Sequence, residues 1–334
     1  MKATLQDIAD KTGLSVSTIS RVLRGESKTA TGNVELIIRT AQSLNYPVNT
    51  RLLNSAYNFK KTLSVAVITN FVLGEFYSML CHGLSGAAQE SNVLLSLHDF
   101  TFDESRIVDY LRHLSNNSVD AVILFLPTLK EHHYYQILEE MPKDFIVISI
   151  ASVFHPLVDT ISFDSYRGGF LVAKHFAERC YTDVGLITGP VSRHEALLRK
   201  SGYTDFIEHN SSLNLVWQYE GDYSVGNGKR AYHAYKNAKQ KPRAIFSSND
   251  SMCLGFIEQA QKDGLRIPQD IAIAGYDDLP VCEYLFPTLT SVRTDYKELG
   301  QSAFNMIKEK VEKGEGHRGV FNMMPVSLAV RNST

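Results

Sequence analysis

The hydrophobic pattern of the chain changes near Lys60 and Lys61. Before these residues, apolar positions recur at helical spacing, and after them short apolar runs alternate with amphipathic segments. The first pattern predicts short helices, and the second predicts parallel strands joined by helices. The sequence therefore predicts a small all-α module followed by a larger α/β core.

Helix start and stop signals divide the N-terminal module. Thr4 and Asp7 have the spacing of a capping box, and Gly13 suits the left-handed conformation that ends a helix. Ser15 is a candidate N-cap for a second helix over Val16–Leu23. A third helix is expected at about residues 33–44, where the apolar positions are Val34, Ile37, Ile38, Ala41 and Leu44.

Two short helices around a tight glycine turn, closed by a third, form a helix-turn-helix, whose second helix fits a DNA major groove. On its outer face Val16 can contact a thymine methyl, Ser17 a base edge, and Arg21 a guanine or a phosphate. Nearby hydroxyls suit phosphate oxygens; they belong to Ser15, Thr18 and Ser20. A solvated surface with no DNA role is the alternative interpretation of such a polar face.

Charge is distributed unevenly between the two parts. The 34 Lys and Arg and 36 Asp and Glu residues give a formal charge of −2, which excludes a uniformly basic nucleic-acid binder. Residues 1–60 nevertheless carry a net +4, and the remainder carries −6. This uneven distribution of charge is compatible with a small DNA-binding module joined to a mildly acidic core.

Eight candidate strands follow Lys61, most of them followed by a helical segment. That alternation over the core fits two doubly wound parallel-sheet lobes better than one, and ligands of such sheets bind beyond the carboxyl ends of the strands. The candidate strands are Leu63–Thr69, Val93–Leu97, Val119–Leu126, Phe145–Ile150, Val184–Thr188, Leu213–Tyr219, Ala244–Ser247 and Ile271–Ala274.

Motifs in both parts resemble those of the lactose/galactose repressor (LacI/GalR) family of bacterial transcription regulators. In the N-terminal module they are Thr4–Ala9, Gly13–Leu23 and Leu44–Tyr46. In the core they are Gly221–Ser224, Ser248–Gly255, Gly264–Ile271, Gly275–Asp278 and Pro287–Val292. The resemblance thus covers essentially the whole chain.

The resemblance implies an α/β protein: a helix-turn-helix headpiece plus a periplasmic-binding-protein-like core of two doubly wound lobes. The headpiece is expected at residues 1–46, a hinge at 47–61, and an effector-binding and dimerisation core at 62–334. Within the core, one lobe is expected at about 62–160 and 292–323, and the other at about 161–290 and 325–334.

The resemblance also extends the set of DNA contacts. It adds Thr4, Arg24 and Tyr46 as backbone contacts. The hinge departs from the family pattern, because Leu52 stands at the usual alanine and Ser55 at the usual minor-groove leucine. Either Leu52 or Leu53 enters the minor groove in altered register, or the hinge contributes less to affinity; Arg51 is a candidate phosphate contact.

Three polar residues fall at effector positions of the family. Arg199 offers a planar donor fork to vicinal hydroxyls, while Asn249 and Asp277, which follow predicted strands, can donate to and accept from neighbouring hydroxyls. Taken singly, Arg199 could form a surface salt bridge and Asp277 could cap a helix. Their shared location beyond the strand ends favours a binding site for a polyhydroxylated ligand.

Further positions that line family pockets hold aromatic and small polar residues. The aromatic side chains provide flat faces for a ring, although core packing is a strong alternative for Phe76. Gly74 and Glu75 replace the Asn-Pro that precedes this phenylalanine in the family, and a carboxylate at Glu195 favours hydroxyl or amine groups over an anion. The pocket positions are Phe76, Tyr77, Ser149, Glu195, Tyr223 and Tyr296.

Enzyme signatures are weak or missing. The segment Gly226–Ala231 matches a dinucleotide fingerprint formally, but it does not directly follow a strand. His132 and His133 are expected to face solvent, and the four cysteines, which are too dispersed for a zinc site, are expected to be reduced and buried. We therefore expect no catalysis, cofactor or metal.

The sequence as a whole predicts a homodimeric, DNA-binding regulator, a repressor of a carbohydrate-utilisation operon controlled by a sugar-like effector. A pseudo-palindromic operator is the expected DNA partner. No signal peptide or membrane span is apparent, so a cytoplasmic location is expected. A regulator that responds to a purine or a phosphocarrier protein, and a solute-binding protein without regulatory DNA contact, are the alternatives.

Overall fold

A computed structural model describes residues 3–23, 31–44, 46–48, 62–70, 74–101, 103–117, 119–142, 145–314, 316 and 319–334. Within residues 3–23, 31–44 and 46–48 the structure describes three helices, which form the N-terminal headpiece. They are α1 (Leu5–Thr12), α2 (Val16–Leu23) and α3 (Thr31–Ser43).

Local capping sets the helix boundaries of the headpiece as the sequence predicts. The Asp7 amide donates to Thr4 Oγ1 at 3.3 Å, and the Thr4 amide donates to Asp7 Oδ2 at 2.7 Å. Gly13 ends α1 with φ of 69°, a left-handed conformation that glycine adopts without strain. The Ser15 hydroxyl accepts from the Thr18 amide at 3.2 Å and so begins α2.

One small core holds the three helices together. Ile8 of α1, Ile19 of α2 and Ile37 of α3 are fully buried. Burial of Ile19 and Val22 turns the opposite face of α2, with Ser17 and Arg21, towards solvent. The helical periodicity of the sequence therefore determines which face of α2 is free to bind.

The first lobe is built around a six-stranded sheet in the order β11-β5-β4-β3-β1-β2, with parallel pairing throughout. Its strands are β1 (Leu63–Thr69), β2 (Val93–Asp99), β3 (Ala121–Phe125), β4 (Ile146–Ser149), β5 (Asp159–Phe163) and β11 (Phe321–Met324). Its helices are α4 (Glu75–Glu90), α5 (Ile107–Asn116), α6 (Glu131–Glu140) and α12 (Tyr296–Lys313), with a 3-10 turn at Glu104–Arg106.

The second lobe repeats this plan in the order β12-β10-β9-β8-β6-β7, with β12 antiparallel to β10. Its strands are β6 (Asp183–Thr188), β7 (Asn214–Glu220), β8 (Ala244–Ser247), β9 (Ala272–Asp277), β10 (Thr290–Arg293) and β12 (Ser327–Ala329). Its helices are α7 (Ser165–Glu178), α8 (His194–Glu208), α9 (Val225–Lys236), α10 (Asp250–Lys262) and α11 (Val281–Tyr284).

The chain passes between the two lobes more than once. It leaves the first sheet after β5, returns from β10 through α12 to β11, and ends in the second sheet at β12. The predicted two-lobed, doubly wound α/β fold is therefore confirmed. A change in the angle between the lobes must act through these crossing segments.

Four described strands, β5, β10, β11 and β12, were not among the eight predicted from sequence. They carry polar residues that tertiary hydrogen bonds satisfy. Thr290 of β10, for example, is fully buried, and its hydroxyl bonds to the Arg331 backbone and the Thr334 hydroxyl. Such long-range partners are invisible to an apolar-run criterion.

Two glycines allow α7 and α8 to pack closely. A Cβ at Gly169 would lie 2.0 Å from the Arg199 carbonyl oxygen, and a Cβ at Gly202 would lie 1.8 Å from the Tyr166 carbonyl oxygen. Backbone contact of this kind excludes any larger residue. The close packing determines where α8 places the Arg199 side chain.

Two side-chain expectations are wrong. His133 is buried, because its Nδ1 accepts the Lys130 amide at 3.0 Å and so helps to begin α6, whereas His132 is exposed as expected. All four cysteines are free thiols, but Cys180 is exposed at a left-handed turn after α7 with φ of 58°. Cys81 is only half-buried, whereas Cys253 and Cys282 are buried as predicted.

Candidate functional site

The outward face of α2 presents the residues predicted to contact bases. Val16 is 36% exposed, and Ser17 and Arg21 are also exposed. The Arg21 Nε donates to the Ser17 carbonyl oxygen at 3.4 Å, a long bond that keeps the guanidinium along the helix surface. An apolar contact, a hydroxyl and a planar donor fork therefore lie within about one helical turn.

The residues predicted to contact the DNA backbone differ in their exposure and in their hydrogen bonds. Ser15 Oγ lies 3.0 Å from Ser17 Oγ and 2.8 Å from Thr18 Oγ1, so these hydroxyls form one group at the start of α2. Thr4 uses both its amide and its hydroxyl on Asp7. Ser20 is half-buried, and Tyr46 packs against the headpiece core. Arg24, Arg51, Leu52 and Leu53 lie outside the described residues.

The second lobe brings Arg199, Asn249 and Asp277 together at the carboxyl edge of its sheet. Arg199 points from α8, Asn249 follows β8 and Asp277 ends β9. Arg199 Nη2 lies 3.6 Å from Asp277 Oδ1, and its Nη1 donates to the Ser248 carbonyl oxygen at 2.5 Å. The three residues are at most 9% exposed, which excludes the surface-salt-bridge interpretation of Arg199.

Aromatic rings enclose the guanidinium. Its central carbon lies 3.5 Å from the ring centroid of Tyr276 and 5.9 Å from that of Tyr223, both within the range of a cation–π interaction. Burial opposes the charge of Arg199, but Tyr223, Asp277, Tyr276 and Glu195 around it raise its pKa above the ordinary value. Arg199 is therefore a permanently charged donor inside the lobe.

Asp277 is held in a strained backbone conformation. Its φ is 107°, that of Asp278 is 54°, and that of Tyr223 is 69°, all in the left-handed region. Burial raises the pKa of the Asp277 carboxyl, and Arg199 opposes the increase. A strained backbone conformation persists only where surrounding contacts hold it in place. Such conformations are concentrated at binding and catalytic sites.

Hydrogen bonds of Asp250 hold the strained turn at Asp277 in place. Its Oδ1 accepts from Ser291 Oγ at 2.6 Å, and its Oδ2 accepts from the Leu279 amide at 2.9 Å. Ser291 Oγ in turn accepts the Asp278 amide at 3.0 Å. Asp250 thus fixes the turn that carries Asp277, a positioning role that the sequence analysis missed.

Asn249 has a structural task besides any ligand contact. Its Oδ1 accepts the Met252 amide at 3.0 Å and caps α10, and its Nδ2 donates to the Tyr223 carbonyl oxygen at 3.0 Å. The helix-capping role that was the alternative for Asp277 therefore falls to Asn249. Asp277 directs its carboxylate to Arg199 instead.

Several buried polar atoms around Arg199 have no hydrogen-bond partner among the described residues. They are Arg199 Nε, Glu195 Oε2, Tyr223 Oη and Ser248 Oγ. Buried donors and acceptors are normally satisfied, and leaving one unpaired costs about 1–3 kcal/mol. Because donors and acceptors are both present, the group can bind a polar ligand that offers both.

The first lobe contributes the remaining predicted pocket residues. The Phe76 ring centroid lies 5.2 Å from that of Tyr77 and 5.8 Å from that of Tyr296. Phe76 also packs against the first-lobe core, so its core-packing role is real. Ser149 is fully buried, and its hydroxyl bonds to the Ala151 backbone and lies 3.3 Å from the Tyr134 hydroxyl.

Hydrogen bonds join the two lobes directly. The Val281 amide in the second lobe donates to Glu75 Oε2 of the first lobe at 2.9 Å. Ser152 Oγ in the first lobe lies 2.8 Å from His194 Nδ1 in the second. Glu75 belongs to the segment that departs from the family pattern, and the departure supplies a contact between lobes.

Two kinds of feature are absent from the described residues. Across those ranges no helix is long and apolar enough to cross a membrane. The same part of the chain contains no group of three or more His, Cys, Asp or Glu arranged to hold a metal ion.

A helix-turn-helix headpiece with an exposed second helix, joined to a two-lobed core with a buried polar site, defines the class of ligand-responsive DNA-binding regulators. Residues 4–49 match the family described as bacterial regulatory proteins, lacI family, and residues 173–334 match the periplasmic binding protein-like domain. The chain therefore carries a lacI-family DNA-binding domain followed by a periplasmic-binding-protein-like domain. It is therefore a DNA-binding transcription regulator and not an enzyme.

Known proteins resemble the chain over nearly its whole length. The HTH-type transcriptional repressor PurR of Aliivibrio salmonicida is 27% identical, with 97% of this chain and 96% of that protein covered. The lac repressor dimer bound to operator and the anti-inducer ONPF gives a TM-score of 0.76 at 23% identity, covering 100% of this chain and 99% of that one. The CelR–cellobiose complex gives 0.70 at 22% identity, covering 99% and 100%. The structural likenesses establish the fold.

Proposed function

We propose that the chain is a transcriptional repressor that binds a two-fold symmetric operator and is controlled by a small, neutral, polar effector. The observation that carries the effector proposal is the buried Arg199–Asp277 pair, with unpartnered donors and acceptors around it. The effector is held at this edge of the second lobe, with Asn249, Glu195 and Tyr223 as further contacts. The repressor assignment is supported by the likeness to PurR.

A sugar-like effector is our first choice. Arg199 and Asp277 present a donor fork and an acceptor side by side, which matches vicinal hydroxyls, and Glu195 adds a second acceptor. Tyr77, Phe76 and Tyr296 supply an aromatic wall from the first lobe, whereas Ser149 acts through Tyr134. The phosphocarrier alternative has no supporting contact among the described residues.

A purine is the second candidate for the effector. The likeness to PurR, a purine-responsive repressor, favours it. The flat face of Tyr223, which is only partly buried, would also suit a heterocycle. Glu195 would then accept from a ring N–H or an exocyclic amine.

The proposed DNA contacts follow the geometry of α2. Val16, Ser17 and Arg21 contact base edges, since they share its exposed face. Ser15, Thr18, Ser20 and Tyr46 contact phosphates. Arg24 and Arg51 are proposed as further phosphate contacts, and Leu52 or Leu53 as the minor-groove contact; these four residues lie outside the described ranges. Thr4, the N-cap residue of α1, is the remaining proposed contact to the DNA backbone.

We propose that two chains associate to bind one operator. The second lobe exposes two large aromatic side chains, Tyr284 at 83% and Phe286 at 89%, and edge strand β2 of the first lobe exposes Leu94 at 64%. Apolar exposure on this scale marks contact surfaces in many proteins. A two-fold dimer would place its headpieces on two half-sites, so residues 1–46, 47–61 and 62–334 would serve as headpiece, hinge and dimerising core.

Replacement of Arg21 tests the DNA contacts. We expect Arg21→Ala to weaken operator binding about 10- to 100-fold, because a lost base contact of this kind costs about 1–3 kcal/mol. The measurement is a mobility-shift titration against DNA from upstream of the gene and against unrelated DNA. Lys11→Ala removes the same charge from α1 and should lower both affinities alike; equal losses for Arg21→Ala would contradict the base contact.

Reciprocal linkage tests effector control. If the effector and the operator are coupled, each must change the affinity for the other by the same factor, about 5- to 150-fold. Calorimetry of the effector with the free protein and with the protein–operator complex measures one side of the cycle, and operator titrations with and without effector measure the other. A ligand that binds equally well in both states would not be the effector.

A further inference from the structure

Helix α11 and the residues just after it carry the most exposed aromatic side chains of the described ranges. Tyr284, at 83%, ends this helix, and Phe286, at 89%, follows two residues later. The helix has only four residues, and a helix of one turn is marginal without support from its surroundings. The positions of both rings therefore depend on what holds α11 in place.

Contacts within the second lobe hold the middle and the end of α11. Cys282 is fully buried in the second-lobe core, where its thiol lies against the Asp250 carboxylate. The Leu289 amide donates to the Cys282 carbonyl oxygen at 2.8 Å. Pro280, which precedes the helix, makes no side-chain cap, so the Val281 amide at the start of α11 needs an acceptor from elsewhere.

The first lobe supplies this acceptor. Glu75 Oε2 accepts the Val281 amide at 2.9 Å, although the two residues are 206 positions apart in the chain. Glu75 is the first residue of α4, and Leu80 and Leu84 of the same helix are buried in the first-lobe core. The core of one lobe therefore positions the carboxylate that caps a helix of the other lobe.

Charged residues beside α11 make this face complementary to a second copy of itself. Arg293 and Arg331 each lie 2.6 Å from the Asp278 carboxylate, and Arg331 Nη2 lies 3.4 Å from Glu283 on α11. Arg293 and Glu283 remain exposed, so the face presents a base and an acid around the two aromatic rings. A two-fold axis can place the acid of one copy opposite the base of the other.

We propose that Glu75 is a positioning residue for dimer formation: it caps α11 across the lobe boundary and so presents Tyr284 and Phe286 to a second copy of the chain. The proposal rests on the proposed function, because it takes these two residues as part of the dimer surface. A lobe movement that separates Glu75 from Val281 removes the cap and weakens the dimer. The strength of the dimer is thereby coupled to the arrangement of the lobes.

Dimer dissociation measures the contribution of the cap. In a dilution series followed by sedimentation, Glu75→Ala should raise the dissociation constant of the dimer about 2- to 30-fold, the range that corresponds to a lost helix cap. Glu75→Gln should recover most of the loss, because its amide oxygen can still accept the Val281 amide. Glu298→Ala is the matched control, since it removes an exposed carboxylate from the first turn of α12 and should leave dissociation unchanged.

Amide hydrogen exchange separates the loss of the cap from a general loss of stability. At a protein concentration at which wild type and variant are both dimeric, residues 281–286 should exchange faster in Glu75→Ala. The buried strand β8 should exchange as in the wild type. Unchanged exchange over residues 281–286, or equal acceleration in β8, would overturn the cap.

Tyr284→Ala and Phe286→Ala test the surface that the cap supports. Each change removes an exposed ring, and each should weaken the dimer about tenfold or more. If both weaken the dimer and Glu75→Ala does not, the dimer surface stands and the role of Glu75 is overturned. If neither weakens the dimer, or if the wild type stays monomeric, the proposed dimer surface is overturned as well.

Discussion

Arg199→Ala is expected to abolish effector binding and to destabilise the protein by about 3–5 kcal/mol. Removing one partner of a buried ion pair leaves the other charge uncompensated, and this cost exceeds that of most surface changes. Here the charge left behind is Asp277, which is 4% exposed and already strained at φ of 107°. Urea denaturation and calorimetry with the effector measure the two consequences.

The pH dependence of this variant identifies the cause of the loss. Burial raises the pKa of Asp277, and Arg199 opposes the rise, so removal of Arg199 should raise this pKa further. A carboxyl whose pKa is higher in the folded than in the unfolded protein contributes stability below its unfolded pKa, and that contribution is lost as the pH rises through the folded pKa. The wild type should therefore stop losing stability from this group once the pH passes the folded pKa of Asp277, whereas the variant should continue to lose stability at higher pH.

A second substitution separates the stability of the site from its binding role. Asp277→Asn in the Arg199→Ala background removes the unpaired charge and should recover a large part of the lost stability. Effector binding should not return, because both the donor fork and the carboxylate are then absent. Retained effector binding by Arg199→Ala would show that the effector does not bind at Arg199, and a stability loss below about 1 kcal/mol would show that the pair is not effectively buried.

The headpiece could be predicted in detail because its signals are local. The capping box of Thr4 and Asp7 spans three residues, Gly13 acts through its own backbone, and the apolar face of α2 repeats within two turns. Each feature depends on chain neighbours that the sequence displays directly. The strands β5 and β10 lack such signals, since Asp159 and Thr290 are buried only because remote segments satisfy them.

The effector site could be predicted only in part, for a related reason. Arg199, Asn249 and Asp277 follow from family resemblance and from the rule that places ligands beyond strand ends. Tyr276 is adjacent to Asp277 in the sequence, yet its contact with the guanidinium requires α8 to pack closely against α7. Asp250 was missed because its partners, Ser291 and Leu279, lie far along the chain.

Ile19→Ala is expected to eliminate operator binding while leaving effector binding unchanged. Ile19 is fully buried among Ile8 and Ile37, and truncation of a buried isoleucine to alanine costs about 2–5 kcal/mol. A core as small as that of the headpiece rarely supplies more than about 3–5 kcal/mol of stability. The substitution should therefore unfold most headpieces and remove the surface that carries Ser17 and Arg21.

The two-lobed core has its own hydrophobic clusters, so it should not respond to this change. Mobility-shift titration, circular dichroism of the helices and calorimetry with the effector measure the three quantities. Val16→Ala is the matched control on the same helix, because Val16 is 36% exposed and its truncation should leave the headpiece folded. That control should weaken only operators with a thymine opposite Val16, since it removes a methyl contact rather than the domain. Operator binding by Ile19→Ala at wild-type affinity would mean that α2 is held in place by contacts other than this core.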